Sequence, residues 1–189
     1  MKIILASASE RRSELLKRLV DDFEILVSDF DESTVKYKGS VDEYVKEIAL
    51  GKAMKIKDKA SEDSIIISAD TVVVFKGKVL GKPKDEKDAF NMLKALQGNI
   101  HYVYSGLAIL NKKTNIIKQE SVKTKVIFSE ISDEEILKYI KTKEPMDKAG
   151  SYGIQGYGGV FVEGIEGCYY NVVGLPLNRL KSLLNSVIW

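Results

Sequence analysis

The sequence predicts an α/β protein, on the strength of three observations. Apolar runs of strand length alternate along the chain with stripes at helical spacing. The first of these forms a strand, tight loop and helix in succession, Lys2 to Ala6 and then Glu10 to Val20. The composition, 44% hydrophobic and 30% charged, is the balance of a compact, soluble chain. Its 189 residues fit one domain of ordinary size, or two lobes sharing a cleft, with enough surface to bury a real core. The expectation is a single domain spanning residues 1–189.

Lys2 to Ala6 reads as a short buried strand, and Leu15, Leu16, Leu19 and Val20 share one face of the helix after it. Ser7 and Glu10 stand at capping-box spacing, with Ser9 as an alternative cap. A strand over Phe23 to Val27 leads to the acidic loop Asp29-Phe30-Asp31-Glu32-Ser33 and a helix from about Val41 to Lys57. Val41, Val45 and Ile48 set the buried stripe of that helix, and the next member is Lys52, within ~20° of Val41 at 100° per residue. Lys52 should therefore point inward, unless its stem lies along apolar surface with the ammonium in water.

Ile65 to Ala69 is a continuous apolar run of a strand covered on both faces; Asp70-Thr71 interrupts it before Val72 to Phe75 resumes. A turn at Lys76-Gly77-Lys78 leads through Val79-Leu80 to Gly81-Lys82-Pro83, and a helix follows from about Asp85 to Gln97 with Gly98 as its cap. His101 to Leu110 and Ile116 to Phe128 read as antiparallel strands, with Val122, Thr124, Val126 and Phe128 in alternating register. Ser132 and Glu135 form a second capping box. Ala149 to Gly174 holds eight glycines with Tyr152, Tyr157, Tyr169 and Tyr170 among them, and reads as loop and short strand. Pro176 opens a closing helix with Leu177, Leu180, Leu183 and Leu184 inward.

The bulk numbers exclude several chemistries. Lys and Arg total 29 against 27 Asp and Glu, so the formal charge of +2 supplies no field for nucleic acid. No apolar run reaches membrane-spanning length, and the chain reads as cytoplasmic. One cysteine, Cys168, and one histidine, His101, rule out an intrachain disulfide and a zinc site of Cys and His ligands. Both are expected to be structural. A Cys/His or Ser/His/Asp arrangement could run only through His101, so in an enzyme carboxylates, lysines and a bound metal are expected to do the work.

The loop Ser7-Ala8-Ser9-Glu10-Arg11-Arg12 sets two hydroxyls and two guanidinium groups at a strand-to-helix turn, which suits phosphate. The alternative is a capped surface helix with solvated arginines. Asp70 in an apolar strand needs a metal, a lysine or hydrogen bonds to offset its burial. Glu32, among Asp29 and Asp31, either ligates a metal or is solvated. Gly153-Ile154-Gln155-Gly156 permits close backbone approach to a ligand and offers the Gln155 amide to a base edge; a bulged turn is the alternative.

Taken together, Ser7-Ala8-Ser9-Glu10-Arg11-Arg12-Ser13-Glu14-Leu15-Leu16, Ser68-Ala69-Asp70-Thr71-Val72-Val73, Gly81-Lys82-Pro83 and Lys148-Ala149-Gly150-Ser151-Tyr152-Gly153-Ile154-Gln155-Gly156 closely resemble the Maf family of nucleotide pyrophosphatases. Glu10 departs from the proline that the family commonly places before the arginine pair. The resemblance implies an α/β fold of mixed, twisted sheet with flanking helices, two lobes around a cleft, similar to the inosine triphosphate pyrophosphatase fold. It implies cleavage between the α- and β-phosphates of a nucleoside triphosphate with Mg²⁺ or Mn²⁺. Asp70 matches the catalytic proton acceptor, and Ser7, Arg12, Glu32, Lys52 and Lys82 match cleft positions. Asp70 and Glu32 are the expected metal ligands, while Arg11, Thr71 and Gln155 match positions tied to substrate choice. Ile154-Gln155-Gly156 resembles the branch acting on dTTP and UTP. The alternatives are a pyrophosphatase for modified purine nucleotides such as 7-methyl-GTP, or a nucleotide-binding regulator of cell division. Tyr169, Tyr170 and Trp189 would suit a homodimer contact.

Overall fold

A computed structural model describes residues 1–188. Seven strands, β1 (Lys2–Leu5), β2 (Glu24–Ile25), β3 (Ser64–Phe75), β4 (Lys78–Leu80), β5 (Ile100–Asn111), β6 (Ile116–Phe128) and β7 (Val162–Glu166), alternate with six helices. These are α1 (Glu10–Leu16), α2 (Val41–Ile56), α3 (Glu86–Leu96), α4 (Asp133–Lys141), α5 (Tyr169–Val173) and α6 (Leu177–Ile188). Hydrogen bonding orders the strands β2-β1-β3-β5-β6-β7, with β4 pairing β3, so the sheet is mixed: β1 is parallel to β2 and β3, whereas β3–β4 and β6–β7 are antiparallel.

The chain forms two compact units. Met1–Asp70, Ser105–Val122 and the described residues from Gly174 on make the first, and Thr71–Tyr104 with Lys123–Val173 make the second. The long strands β3, β5 and β6 give residues to both, so neither unit is a continuous stretch of chain.

In the first unit α2 is seated on the strands by direct backbone contact. A Cβ on Gly106 of β5 would lie 2.2 Å from the Val45 carbonyl oxygen of α2, so only glycine lets the helix come this close. The Ser68 hydroxyl of β3 donates to the Ala49 carbonyl of the same helix at 2.6 Å. Val45, Ile48, Ala49, Ala53 and Ile56 form its buried face, with Ile4, Ile66 and Leu110 packed beside the last of them. α6 buries Leu177, Leu180, Leu184 and Val187. Leu183 lies only half-buried, off that row.

The second unit is built on aromatic packing. Phe128, Tyr139, Tyr152 and Phe161 join Val73, Leu93, Leu96 and Ile136 in its core. His101 is 0% exposed among them, its Nε2 2.8 Å from the Tyr152 hydroxyl and its ring edge-on to Phe128. Lys76 and Gly77, with φ of 48° and 76°, form the two-residue turn between β3 and β4. Tyr169 is exposed and its ring meets Tyr170 edge-on; Trp189 lies outside the described residues.

Several expectations are corrected. β3 runs unbroken from Ser64 to Phe75, so Asp70 sits inside the strand and does not interrupt it. α1 ends at Leu16 rather than Val20, and Leu19 and Val20 are only half-buried in the turn beyond. Ser9, not Ser7, caps α1, accepting from the Arg12 N–H. Gln97 caps α3, with Gly98 in the left-handed conformation just beyond it. The capping box of Ser132 and Glu135 forms as expected.

Burial holds the His101 imidazole well below its ordinary value of 6.5, at about 4, because no compensating charge reaches the ring. Above pH 6.5 the ring is neutral whether the chain is folded or not. Between 6.5 and about 4 only the unfolded chain takes up the proton, so stability falls with pH across that window, by about 3 kcal/mol in all. Denaturant unfolding from pH 7 to pH 4 should show this loss, and His101→Phe should flatten that part of the profile. Gly106→Ala should lower stability by about 2 kcal/mol, because the α2 backbone has to move.

Candidate active site

Parallel pairing of β1 with β3 fixes where the arginine loop lands. Ile4 and Leu5 lie opposite Ile66 and Ile67, and the Ala6 N–H continues the ladder to the Ile67 carbonyl at 2.8 Å. The loop from Ser7 therefore leaves the sheet beside Ser68 to Asp70. Ser7, free of the capping role, turns its oxygen to Arg12: Arg12 Nη1 donates to Ser7 Oγ at 3.3 Å and Arg12 Nε donates to the Gly174 carbonyl at 2.9 Å. The guanidinium is thus held from both sides. Burial pulls its pKa down, Asp70 and Glu32 pull it up, and neighbouring Arg11 pushes it down. All four groups belong to one electrostatic cluster.

Lys52 is the centre of that cluster. Its Nζ lies 2.7 Å from Asp70 Oδ1 and 2.7 Å from Glu32 Oε1. The pairing follows from the seating of α2. Ser68 and Asp70 point to the same face of β3, two residues apart, and Ala49 and Lys52 to the same side of α2, one turn apart. The Ser68–Ala49 hydrogen bond therefore sets the register in which Lys52 meets Asp70. The inward direction expected for Lys52 is what the structure has, whereas Lys55 is exposed.

Of the three acids in the preceding loop, only Glu32 reaches Lys52. Asp31 is spent locally, accepting from the Ser33 N–H at 3.0 Å and the Ser33 hydroxyl at 2.7 Å to cap the 3-10 turn Glu32–Thr34. The Phe30 ring fills the space over Gly51 of α2, where a Cβ would come within 2.3 Å of it. Gly51 thus gives the loop a seat one residue from Lys52. Sequence reasoning missed Phe30, Gly51, Ser68, Gly106 and Gly174. It also missed Tyr44, on the row 44, 48, 52 of α2, whose phenol is raised in pKa by burial first and then by the Asp70 and Glu32 carboxylates. That row was readable as a spacing.

The other expected residues fall in the second unit. Thr71 follows Asp70 on β3, half-buried and pointing to the opposite face. Lys82 is exposed just after β4. The Gly81 carbonyl beside it accepts from the Gly150 N–H at 3.0 Å, and a Cβ on Gly150 would lie 2.7 Å from the Val73 side chain. The Gly81-Lys82-Pro83 and Lys148 to Gly156 motifs are thereby joined. Gln155 is exposed in the turn between Gly153 and Gly156.

Among the described residues no group of three or more His, Cys, Asp or Glu side chains could hold a metal by itself. Asp70 and Glu32 share the Lys52 ammonium, which a divalent cation would have to replace; as oxygen donors they are of the kind Mg²⁺ or Mn²⁺ takes, one or two carboxylates with water and phosphate oxygens completing the shell.

The chain matches the Maf-like protein family over residues 2–187. It belongs to the Maf family. A dTTP/UTP pyrophosphatase of Clostridium botulinum (strain Eklund 17B / Type B) is 65% identical over 188 residues, covering 100% of both chains. A dTTP/UTP pyrophosphatase of Clostridium beijerinckii is 65% identical over 187 residues, 99% of this chain and 100% of its own. The Ham1 protein of Staphylococcus aureus shares the fold at 16% identity, with a TM-score of 0.51 over 98% of this chain and 99% of that one. Mixed sheet and flanking helices are as the sequence led us to expect.

The Maf cluster mixes two kinds of ion pair. Lys52 and Asp70 are 13% and 9% exposed, whereas Glu32 is 55% exposed. Lys52→Met should remove the ammonium paired with the buried Asp70 and cost about 3 kcal/mol of stability, while Glu32→Gln should change it by less than about 1 kcal/mol. Urea unfolding of the two variants checks the contrast.

Proposed function

We propose that this protein hydrolyses dTTP and UTP to the nucleoside monophosphate and pyrophosphate. The observation that carries the reading is the buried Asp70 carboxylate held by Lys52, with Arg12 fixed beside it at the end of β1. The dTTP/UTP pyrophosphatases that share 65% of this sequence support the substrate class.

Lys52 occupies Asp70 Oδ1, which leaves Oδ2 to orient a water and take its proton. The water oxygen bonds to the α-phosphorus as the bond from that phosphorus to the bridging oxygen breaks, and pyrophosphate leaves with the bridging electrons. Arg12 and Ser7 cradle the phosphate oxygens, and Arg11 adds a second guanidinium at the same loop. Lys82 neutralises charge building on the departing pyrophosphate. A divalent cation, Mg²⁺ or Mn²⁺, held by Asp70 and Glu32 in place of the Lys52 ammonium, would supply Lewis-acid neutralisation of the triphosphate. Gln155 reads the pyrimidine edge through its amide, and Thr71 contributes to substrate choice.

No described helix is long and apolar enough to cross a membrane, and a nucleotide substrate suits a cytoplasmic place of work. With Mg²⁺ and a panel of dTTP, UTP, CTP, ATP, GTP and 7-methyl-GTP, pyrophosphate release should be fastest with dTTP and UTP. Asp70→Asn should lower kcat by about a hundredfold or more with the fold intact by circular dichroism. Wild-type turnover in that variant would overturn the assignment of Asp70, and a preference for 7-methyl-GTP would overturn the substrate.

A further inference from the structure

The turn that carries Gln155 is tied at both ends to one carboxylate, Glu144. The turn itself closes when the Gly156 N–H donates to the Gly153 carbonyl at 3.3 Å, with Ile154 and Gln155 at its tip. On its far side the Tyr157 N–H donates to Glu144 Oε2 at 2.9 Å and the Gly158 N–H to Glu144 Oε1 at 3.1 Å. On its near side the Gly153 N–H donates to the Tyr139 hydroxyl oxygen at 3.1 Å, and that hydroxyl donates its own proton to Glu144 Oε1 at 2.8 Å. Lys148 holds the Glu144 backbone, its Nζ donating to the Glu144 carbonyl at 2.9 Å.

The glycines follow from this clamp. A Cβ on Gly156 would lie 2.2 Å from Glu144 Oε2, and one on Gly158 2.6 Å from the Tyr139 oxygen. Burial alone would raise the Glu144 pKa, but the N–H groups of Tyr157 and Gly158, the Tyr139 hydroxyl and Lys148 bring it below the ordinary value. The carboxylate is charged at neutral pH. Tyr139 is held above its ordinary value by burial first and by Glu144 second, so its proton stays in place to donate.

We propose that Glu144 and Tyr139 are positioning residues for nucleotide selection: they fix the turn that presents the Gln155 amide to the base and touch no reacting atom themselves. This rests on the reading of Gln155 given above. Without the clamp the glycine-rich turn has many conformations, and each binding event would have to order it, which weakens recognition of the base more than the chemistry at phosphorus.

The experiment compares Tyr139→Phe, Glu144→Gln and Gln155→Ala, alone and combined, in pyrophosphate release from dTTP, UTP, CTP and GTP with Mg²⁺. Tyr139→Phe keeps the ring in the core, and Glu144→Gln keeps the shape while setting its NH₂ against the Tyr157 N–H. Each should raise KM for dTTP and UTP by about tenfold and narrow their advantage over CTP and GTP, with kcat within about twofold. Added to Gln155→Ala, neither should cost anything further, since both act through the same amide. If Gln155→Ala narrows the selectivity and the clamp variants do not, the clamp is overturned and the reading of Gln155 stands. If Gln155→Ala leaves selectivity unchanged, that reading falls and the clamp's role in selection falls with it. Equal loss of kcat for all four nucleotides in the clamp variants would make the clamp merely structural and overturn the proposal.

Discussion

A carboxylate inside an apolar strand needs compensation for its burial, and Lys52 reaches Asp70 at 2.7 Å to supply it. That contact depends on how closely α2 lies on the strands. Gly106 removes the side chain that would hold the helix off, and Ser68 hydrogen-bonds the helix backbone three residues before Lys52. Once the helix is seated, Gly51 offers a place for Phe30, and Phe30 brings the acidic loop to the point where Glu32 meets the same ammonium. Arg12 joins from α1, which follows the parallel neighbour strand β1. Residues from four separate stretches of chain, α1, the acidic loop, α2 and β3, thus belong to one cluster.

The two units solve the burial of polar groups differently. In the first, charge is balanced by charge. In the second, His101 is kept neutral in an aromatic cage, and the Glu144 carboxylate is hydrogen-bonded by backbone N–H groups and a phenol, with the Lys148 ammonium contributing less. Hydrogen bonds of this kind fix direction as well as charge.

Much of this was legible in the sequence because its signals were periodic. The inward Lys52 came from the helical repeat, and the burial of Asp70 from the apolar run around it. The alternation of Thr124, Val126 and Phe128 marked the inner face of β6. What could not be read were contacts between distant backbones. Gly106 and Gly51 are single glycines in strand and helix, with no turn chemistry to mark them, and their reason is a neighbour far away in the chain. The choice of Ser9 over Ser7 as cap turned on a guanidinium that only the fold brings to Ser7. The choice of Glu32 over Asp31 turned on a local turn that consumes Asp31. Glycines between 153 and 159 suggested a ligand-facing loop, but their immediate cause is an internal carboxylate.

The hydrogen bond from Arg12 to the Gly174 carbonyl joins the first helix to a segment made more than 150 residues later. The first unit gathers pieces from the beginning, middle and end of the described chain, while everything the second unit needs lies between residues 71 and 173. During synthesis the second unit can therefore close while the first still waits for a strand-facing helix. The Arg12 guanidinium gains this partner only once Gly174 has been made, so in a nascent chain that contact follows the whole of the second unit, which ends at residue 173.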